Sequence, residues 1–342
     1  MSSSHVPAPP VERKAHEPSP QAAASGVLVT GASGFVGHAL VERLRREGRA
    51  VHATMRRASN MPAGTQVILG LPLDAHTDWR AALTGIDTVV HCAARAHVLH
   101  ETADDPLAAF RQVNVLGTLA LARQAAQARV RRFIFISSIG VHGAQTDGRP
   151  FRFDDAPAPH SPYAQSKWEA EQALQALARE TALQVVVIRP PLVFGPGAPG
   201  NFERLMRAVH AGLPLPFGAI HNRRSLVALD NLCDLISLCI DHPAAAGQTF
   251  LVSDGEDIST TDLLRRTGQA LGKSARLLPV PGSWMAATAR IFGRRAFAQR
   301  LLSSLQVDMA HTQQQLGWAP PARLDDVLRQ TAQQYLQQVS RP

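Results

Sequence analysis

A tyrosine and a lysine stand four residues apart in the segment from His160 to Leu174, which reads HSPYAQSKWEAEQAL. Ser161 is a suitable helix N-cap and Pro162 suits the first helical position, so the pattern predicts a helix that starts here. Tyr163 and Lys167 would then lie side by side on one face of that helix. An ammonium next to a phenol favours the phenolate and lowers the phenol pKa, which would let Tyr163 exchange a proton with a substrate oxygen. The alternative is a half-buried tyrosine next to a solvated lysine, because this spacing alone is common.

A glycine-rich turn lies near the start of the chain, in the segment GVLVTGASGFVGHALVERLRREG. Val27 to Thr30 form an apolar run typical of a buried strand, and a helical pattern with an apolar side follows the turn. Between them lie three glycines: Gly31, Gly34 and Gly37. Glycines let the backbone approach a pyrophosphate, and the N-terminus of the helix supplies N–H donors and positive potential. The G-x-x-G-x-x-G spacing differs from the commoner fingerprint, but its place between a strand and a helix indicates a dinucleotide site.

Further apolar runs alternate with helical patterns along the first half of the chain. The predicted strands read RAVHATM, TQVILG, DTVVHCAA, RRFIFISS and LQVVVIRP. Repeated strand–helix units predict an α/β fold of the Rossmann type, a doubly wound parallel sheet covered by helices on both faces. Ligands of such sheets bind at the carboxyl ends of the strands. The residues at those ends are Gly31 to Gly37, Ala93, Ala94, Ser137, Ser138 and Pro190.

The composition of the chain indicates which type of molecule the protein binds. The 342 residues carry a formal net charge of +8, which favours an anionic partner. The basic residues are scattered without an aromatic-basic repeat, so a phosphorylated small molecule is expected rather than a nucleic acid. Cys92, Cys233 and Cys239 lack metal-ligand spacing and lie in apolar segments. We therefore expect free thiols in a reducing cytoplasm and no metal site.

Two segments lie apart from the alternating pattern. Residues 1–25 are rich in Pro, Ala and Ser and lack a continuous apolar core, which predicts a disordered tail. The segment 279–302 is amphipathic and basic. It is expected to form a packed or lid-like helix, with a helix resting on a membrane as the alternative. No apolar run is long enough for an integral membrane span.

The order of several motifs resembles a known family. TGASGFVG, HCAA, NVLGT, FIFISSIGVHG, YAQSK and IRPPLVFGPG follow one another as in the extended short-chain dehydrogenases/reductases, and the resemblance covers about residues 26 to 338. NRRSLVALDNLCDLI and LGWAPPARLDDVLRQT are similar to the nucleotide-sugar epimerase/dehydratase branch, which includes UDP-sugar 4-epimerases and 4-ketoreductases of surface polysaccharide synthesis. The resemblance implies an NAD(P)-binding domain over 26–190, a smaller C-terminal α/β domain over 191–342 mainly for a UDP-sugar, and a homodimer.

The resemblance also implies roles for individual residues. Ser138 rather than Ser137 would be the catalytic hydroxyl, Tyr163 the acid/base, and Lys167 the residue that binds the nicotinamide ribose. Asn114 would brace the architecture. His142 replaces a tyrosine of the family pattern that is not the acid/base. The implied cofactor-binding residues are Gly31, Gly34, Phe35, Val36, Gly37, Arg56, Ala93, Ala94, Tyr163, Lys167 and Pro190.

The residues after the second strand bear on the choice of cofactor. NAD enzymes of this type usually carry an acid there for the adenosine ribose, whereas this chain has Met55, Arg56 and Arg57. Guanidinium groups match a 2′-phosphate, so NADP(H) is favoured, mainly through Arg56, with NAD(H) possible. The alternative is a solvated basic loop. The acid of the family after the third strand has no clear counterpart, since only a displaced Asp74 is present.

The implied substrate site combines Ser138 with Asn201 and Arg224, with Arg300 as a further candidate, because relatives place such residues on the diphosphate. The predicted reaction is the reduction at C4 of a UDP-4-keto-6-deoxy-N-acetylhexosamine. The alternative is a UDP-glucose or UDP-N-acetylglucosamine 4-epimerase with bound NAD. A dehydratase is disfavoured because SSIGVHG lacks the acidic pair that dehydratases of the family carry. A hypothesis of another class is an NADP-binding regulatory or structural protein without catalysis, but such relatives typically lose the tyrosine or the lysine.

Overall fold

The computed structural model describes residues 26–96, 104–198, 200–291, 299 and 301–340. The predicted tail over 1–25 lies outside these residues, as does Arg300.

A seven-stranded sheet forms the centre of the molecule. Its strands are β1 (Gly26–Thr30), β2 (Val51–Met55), β3 (Gln66–Leu69), β4 (Ile86–His91), β5 (Arg132–Ile136), β6 (Gln184–Arg189) and β9 (Thr249–Leu251). They lie in the order β3-β2-β1-β4-β5-β6-β9, and every neighbouring pair is parallel. The order reverses next to β1, which places a ligand crevice at the carboxyl ends of β1 and β4. The predicted doubly wound parallel sheet is confirmed.

Helices cover both faces of this sheet. The helices of the described residues are α1 (Phe35–Arg46), α2 (Pro106–Arg111), α3 (Thr118–Gln127), α4 (Pro162–Glu180), α5 (Asn201–His210), α6 (Leu229–Asp241), α7 (Thr260–Ala270), α8 (Gly282–Ile291), α9 (Ala310–Leu316) and α10 (Leu324–Val339). The long helix predicted from PLAAFRQVNVLGTLALARQAAQA is interrupted by a π-helical turn over Gln112–Gly117. Such turns are frequent at functional sites.

Two apolar cores lie on opposite faces of the sheet. One joins α1 and α6 to the sheet through residues such as Val29, Leu40 and Leu232. The other joins α3 and α4 through residues such as Leu121 and Leu174. Because both faces are buried, the central strands are almost continuously apolar, as expected of a parallel sheet.

A smaller sheet belongs to the C-terminal half. It contains β7 (Leu192–Phe194), β8 (Arg224–Ala228) and β10 (Asp257–Ile258) in the order β10-β8-β7, and its core includes residues of α5, α7 and α10. The chain also returns to the large sheet, because β9 pairs with β6 and α6 packs in the core of α1. The C-terminal half therefore contributes to both parts of the molecule, and a domain boundary at residue 190 stays a prediction. Within the described chain, no helix is both long and apolar enough to cross a membrane.

Candidate active site

Gly31 and Gly37, at the turn between β1 and α1, are packed too closely for a side chain. Gly31 has φ +67°, and a Cβ added to it would lie 2.7 Å from the backbone nitrogen of Ala93. A Cβ at Gly37 would lie 2.3 Å from the carbonyl oxygen of Gly31. The turn is thus a shallow cradle at the carboxyl ends of β1 and β4, with Ala93 forming its other wall.

The N-terminus of α1 opens into this cradle. Gly34 is the N-cap residue, no side chain caps the helix, and its first turn contains no acid. The N–H groups of the first helical turn, which includes Phe35 and Val36, lack acceptors within the helix. Together with the helix dipole, they suit an anion such as a pyrophosphate. The residues present therefore fit the dinucleotide that the sequence predicts.

The end of β2 is basic, as the sequence predicts. Arg56 and Arg57 are exposed and line a cleft of about 400 Å³ together with Ser33. Asp74, the displaced acid, instead accepts hydrogen bonds from the backbone N–H of His76 at 2.9 Å and from the Thr77 hydroxyl at 3.0 Å. These bonds lower the carboxyl pKa and give Asp74 a local role in its own turn.

Helix α4 begins where the sequence predicts. The Ser161 hydroxyl accepts a hydrogen bond from the backbone N–H of Ala164 at 3.2 Å, and Pro162 is the first helical residue. Tyr163 is half-buried, with its ring edge-on to Phe110 at 6.0 Å between centroids. Burial raises the pKa of Tyr163 to about 12. The predicted lowering by the neighbouring lysine is therefore wrong for the protein alone, because the loss of hydration on burial disfavours the phenolate.

Lys167 is buried, so the alternative of a solvated lysine does not apply. Its residue is 2% exposed, and its Nζ lies 4.0 Å from the centroid of the Phe135 ring. Burial lowers the pKa of Lys167 to about 7, against a smaller opposing effect of the Glu171 carboxylate. Lys167 thus lies next to Phe135 of β5, and a buried ammonium requires polar partners.

Two adjacent serines follow β5, and the structure distinguishes them. Ser137 is buried, and its hydroxyl donates a hydrogen bond to the Glu171 carboxylate. Ser138 is half-buried, and its hydroxyl accepts a hydrogen bond from the backbone N–H of Gly140 at 3.1 Å. Because that contact leaves the Ser138 proton to be donated, Ser138 is the hydroxyl suited to polarise a substrate oxygen.

The loop that carries Ser138 packs against the start of α4. A Cβ added to Gly140 would lie 3.3 Å from the Ser138 hydroxyl oxygen and 3.4 Å from the Cβ of Ala164, next to Tyr163. The backbone N–H of Ile139 bonds to the carbonyl of Pro190 at 3.0 Å. The structure thus brings together the carboxyl ends of β5 and β6 and the N-terminus of α4.

A buried ionic network lies next to Ser137, and the sequence analysis did not identify it. The Arg189 guanidinium forms a bidentate pair with the Glu171 carboxylate, with Nη2 to Oε2 at 2.5 Å and Nε to Oε1 at 3.1 Å. Arg189 also donates from Nη1 to His142 Nε2 at 2.7 Å. Because an arginine only donates, the neutral His142 ring carries its proton on Nδ1. Burial, and then the charge of Arg189, lower the pKa of His142 to about 4. The signal that was missed is the spacing of Tyr163, Lys167 and Glu171, each four residues from the last.

Asn114 braces the architecture, in agreement with its predicted role. It lies in the π-helical turn, accepts a hydrogen bond from the backbone N–H of Arg95 at 2.7 Å, and donates one to the Ser166 hydroxyl at 3.0 Å. Ser166 in turn donates to the carbonyl of Tyr163 at 2.8 Å. The π turn therefore ties the loop of Ala93 and Ala94 to helix α4.

The predicted substrate residues of the C-terminal half lie on separate elements. Arg224 begins β8, is half-buried, and donates from Nη1 to the carbonyl of Ser303 at 3.0 Å. Asn201 is the first residue of α5, after Gly200 with φ +85°. The described residues contain no group of His, Cys, Asp and Glu side chains that could hold a metal ion.

These features define a class: a Rossmann-type enzyme with a dinucleotide cradle and a Ser–Tyr–Lys set at the carboxyl edge of its sheet. The model of the NAD dependent epimerase/dehydratase family matches residues 27–253. The chain belongs to this family, within the extended short-chain dehydrogenases/reductases, as the resemblance of its motifs implies.

Individual relatives agree with this family assignment. A UDP-glucose 4-epimerase of Vibrio cholerae is 47% identical over 314 residues, which cover 91% of this chain and 95% of the relative. The crystal structure of a UDP-glucose 4-epimerase with UDP-glucose from Thermotoga maritima covers 92% of this chain and 100% of that one, at 21% identity and a TM-score of 0.75. A UDP-glucuronic acid 4-epimerase from Bacillus cereus, solved in complex with NAD, gives the same values. These two structures support the fold.

Proposed function

We propose that this protein is a UDP-hexose 4-epimerase that uses NAD held in the cradle of Gly31, Gly34 and Gly37. The observation that supports the proposal is the packing of the Ser138 loop on the start of α4, the helix of Tyr163 and Lys167, in a chain that is 47% identical to a UDP-glucose 4-epimerase. The predicted 4-ketoreductase becomes the second candidate.

The cofactor would be held by three parts of the molecule. The N–H groups of Phe35 and Val36 would bind the pyrophosphate, Ala93, Ala94 and Pro190 would contact the flat rings of the cofactor, and Lys167 would bind the nicotinamide ribose. When bound, the nicotinamide accepts a hydride from the sugar and returns it.

Tyr163 would move the proton at the oxygen on the sugar C4. In the oxidative direction the phenolate takes the hydroxyl proton, and in the reductive direction the phenol donates it back. With a pKa of about 12 for the protein alone, the Tyr163 phenol keeps its proton at neutral pH and can donate it in the reductive direction. It becomes an effective base only when positive charge collects next to it, and Lys167 supplies such charge when it is protonated.

Ser138 would donate a hydrogen bond to the same C4 oxygen. Its backbone position is fixed by β5 and its own contact with Gly140, so the hydroxyl is held in place before the substrate binds. Arg224 and Asn201 would bind the diphosphate from the C-terminal half, which accounts for part of the basic balance of the chain. The protein is expected to act in the cytoplasm as a homodimer, without nucleic acid.

One observation favours the ketoreductase. Arg56 and Arg57 line a cleft with Ser33 and match the 2′-phosphate of NADPH. An exchangeable NADPH suits a net reduction, whereas an epimerase regenerates its NAD in each cycle. The NADP preference therefore belongs to this candidate, and the reaction would be reduction of a UDP-4-keto-6-deoxy-N-acetylhexosamine.

One experiment distinguishes the two candidates and the noncatalytic alternative. The purified protein is mixed with UDP-glucose or UDP-N-acetylglucosamine without added nucleotide, and the sugar products are separated by chromatography. Native mass spectrometry of the same sample identifies any bound nucleotide. We expect the 4-epimer and bound NAD, with no product from Tyr163→Phe. Oxidation of NADPH by a 4-keto sugar without epimerisation would support the ketoreductase, and no turnover of any UDP-sugar would contradict both.

A further inference from the structure

An exposed surface of the C-terminal half combines apolar and basic side chains. We call it the α8 surface and define it by Leu213, Lys273, Arg276, Leu278, Trp284 and Arg290. Backbone hydrogen bonds hold its segments together: the N–H of Leu215 bonds to the carbonyl of Arg276 at 2.9 Å, and the N–H of Leu278 bonds to the carbonyl of Leu215 at 2.8 Å. The surface is therefore built on paired backbone next to α8.

Its apolar part is unusually exposed. Trp284 is 70% exposed, Leu213 is 52% exposed and Leu278 is 50% exposed. Trp79 and Trp318, by contrast, are 2% exposed. Single exposed leucines are ordinary, but a tryptophan and two leucines on neighbouring segments indicate a surface that contacts an apolar medium.

The charged side chains of the α8 surface are all basic. The sequence contains no Asp or Glu between Asp262 and Asp308. The same stretch contains eight basic residues: Arg265, Arg266, Lys273, Arg276, Arg290, Arg294, Arg295 and Arg300.

Two of these cations are neutralised locally and three are not. Arg265 pairs with Asp262, and Arg266 pairs with Glu256 and Asp325. Lys273, Arg276 and Arg290 are exposed and form no ion pair with an acid of the described residues. The positive potential of the α8 surface is thus left for a partner.

We propose that the α8 surface docks on an anionic phospholipid bilayer. Tryptophan concentrates at the level of the lipid headgroups, leucine side chains enter the edge of the acyl region, and arginine and lysine attract anionic headgroups. The chain would bind without spanning the bilayer, in agreement with the lack of a spanning helix among the described residues. This inference concerns a surface distinct from the Ser138–Tyr163–Lys167 set and does not depend on which sugar the enzyme converts.

The test uses the full chain and lipid vesicles. Vesicles of phosphatidylcholine mixed with phosphatidylglycerol are compared with vesicles of phosphatidylcholine alone by co-sedimentation at low and high salt. We expect binding to the anionic vesicles that weakens with salt. The fluorescence of Trp284 should shift to the blue on binding, because the other tryptophans, Trp79, Trp168 and Trp318, are already buried or half-buried.

Matched variants connect the binding to this surface. Arg276→Gln/Arg290→Gln should weaken the affinity for anionic vesicles by roughly 25-fold, or about fivefold for each cation removed. Arg123→Gln/Arg179→Gln makes the same change in net charge on exposed residues of α3 and α4 and should change the affinity by less than about twofold. Trp284→Phe should abolish the fluorescence shift while the epimerase assay stays unchanged.

Three results would overturn the proposal. The first is equal loss of binding in the two arginine pairs, which would show general electrostatic attraction. The second is release of the protein from vesicles by saturating UDP, which would assign these arginines to the substrate site. The third is no binding to anionic vesicles at all by a wild-type protein that retains its far-UV circular dichroism.

Discussion

The buried pair of Glu171 and Arg189 offers a sharp test of the structure. Glu171→Gln keeps the shape of the side chain but removes its charge. The side chain of Glu171 is 0% exposed and that of Arg189 is 5% exposed. Arg189 would then be a buried guanidinium without a carboxylate, and the Ser137 hydroxyl would lose a charged acceptor. Removing one partner of a buried pair costs about 3–5 kcal/mol in the free energy of unfolding.

A matched control lies on the same helix. Glu169 pairs with Arg111, with Oε1 to Nη2 at 2.6 Å, but the two side chains are 19% and 47% exposed. Glu169→Gln therefore removes an ion pair of similar length, 2.6 Å against 2.5 Å, in contact with water, and it should cost about 0.2–1 kcal/mol. The main difference between the two variants is burial, because residue type, helix and charged partner type are the same, although Glu171 also accepts from Ser137 and Glu169 from Gln165.

Urea unfolding followed by circular dichroism gives the two free-energy differences from the midpoints and the common slope. Equal losses in Glu171→Gln and Glu169→Gln would refute the reasoning that burial makes the first pair costly to break. A loss of less than about 1 kcal/mol in Glu171→Gln would show that water reaches Arg189 in solution.

Four further predictions concern the site. Tyr163→Phe should lower kcat by a factor on the order of 10² or more with cofactor affinity retained, and near-normal turnover would remove Tyr163 from the mechanism. Arg56→Ala should reduce any preference for NADPH over NADH by roughly 1–3 kcal/mol, measured by fluorescence titration; a wild type that binds NADH as tightly would leave Arg56 in a solvated loop. Arg224→Ala should weaken UDP binding by about thirtyfold, or about 2 kcal/mol, in calorimetry, while nicotinamide binding stays unchanged; equal UDP affinity would place the diphosphate elsewhere. The pKa of Lys167 is about 7 in the folded protein and 10.5 for an unperturbed lysine, so the unfolded chain holds more protons over pH 7 to 10. The free energy of unfolding should therefore rise with pH across this window by on the order of 1 kcal/mol per pH unit, relative to Lys167→Met, with urea midpoints at pH 7 and pH 9 as the measurement.

The strands were predictable because their signal is local. The apolar runs before Gly31 and around Val90 and Ile134 reflect burial on both faces of a parallel sheet, and the structure places strands at each. The start of α4 was predictable for the same reason, since Ser161 and Pro162 act on their own turn. The break in the helix at Gln112–Gly117 was not predicted, because helix propensity does not distinguish a π turn that is fixed by the contacts of Asn114 with Arg95 and Ser166.

By itself, the sequence determined the class of fold, the glycine cradle, the position of Tyr163 and Lys167 on one helix, and the family. These depend on short-range spacing and on residue type. Only the tertiary structure decided that the Tyr163 phenol has a raised pKa, because burial depends on chain segments far apart in sequence. It also decided that Ser137 is held by Glu171, that Arg189 completes this pair from β6, and that β9 returns to the large sheet. Each of these contacts joins residues at least 18 positions apart, a separation at which the order of residues carries no geometric information until the chain has folded.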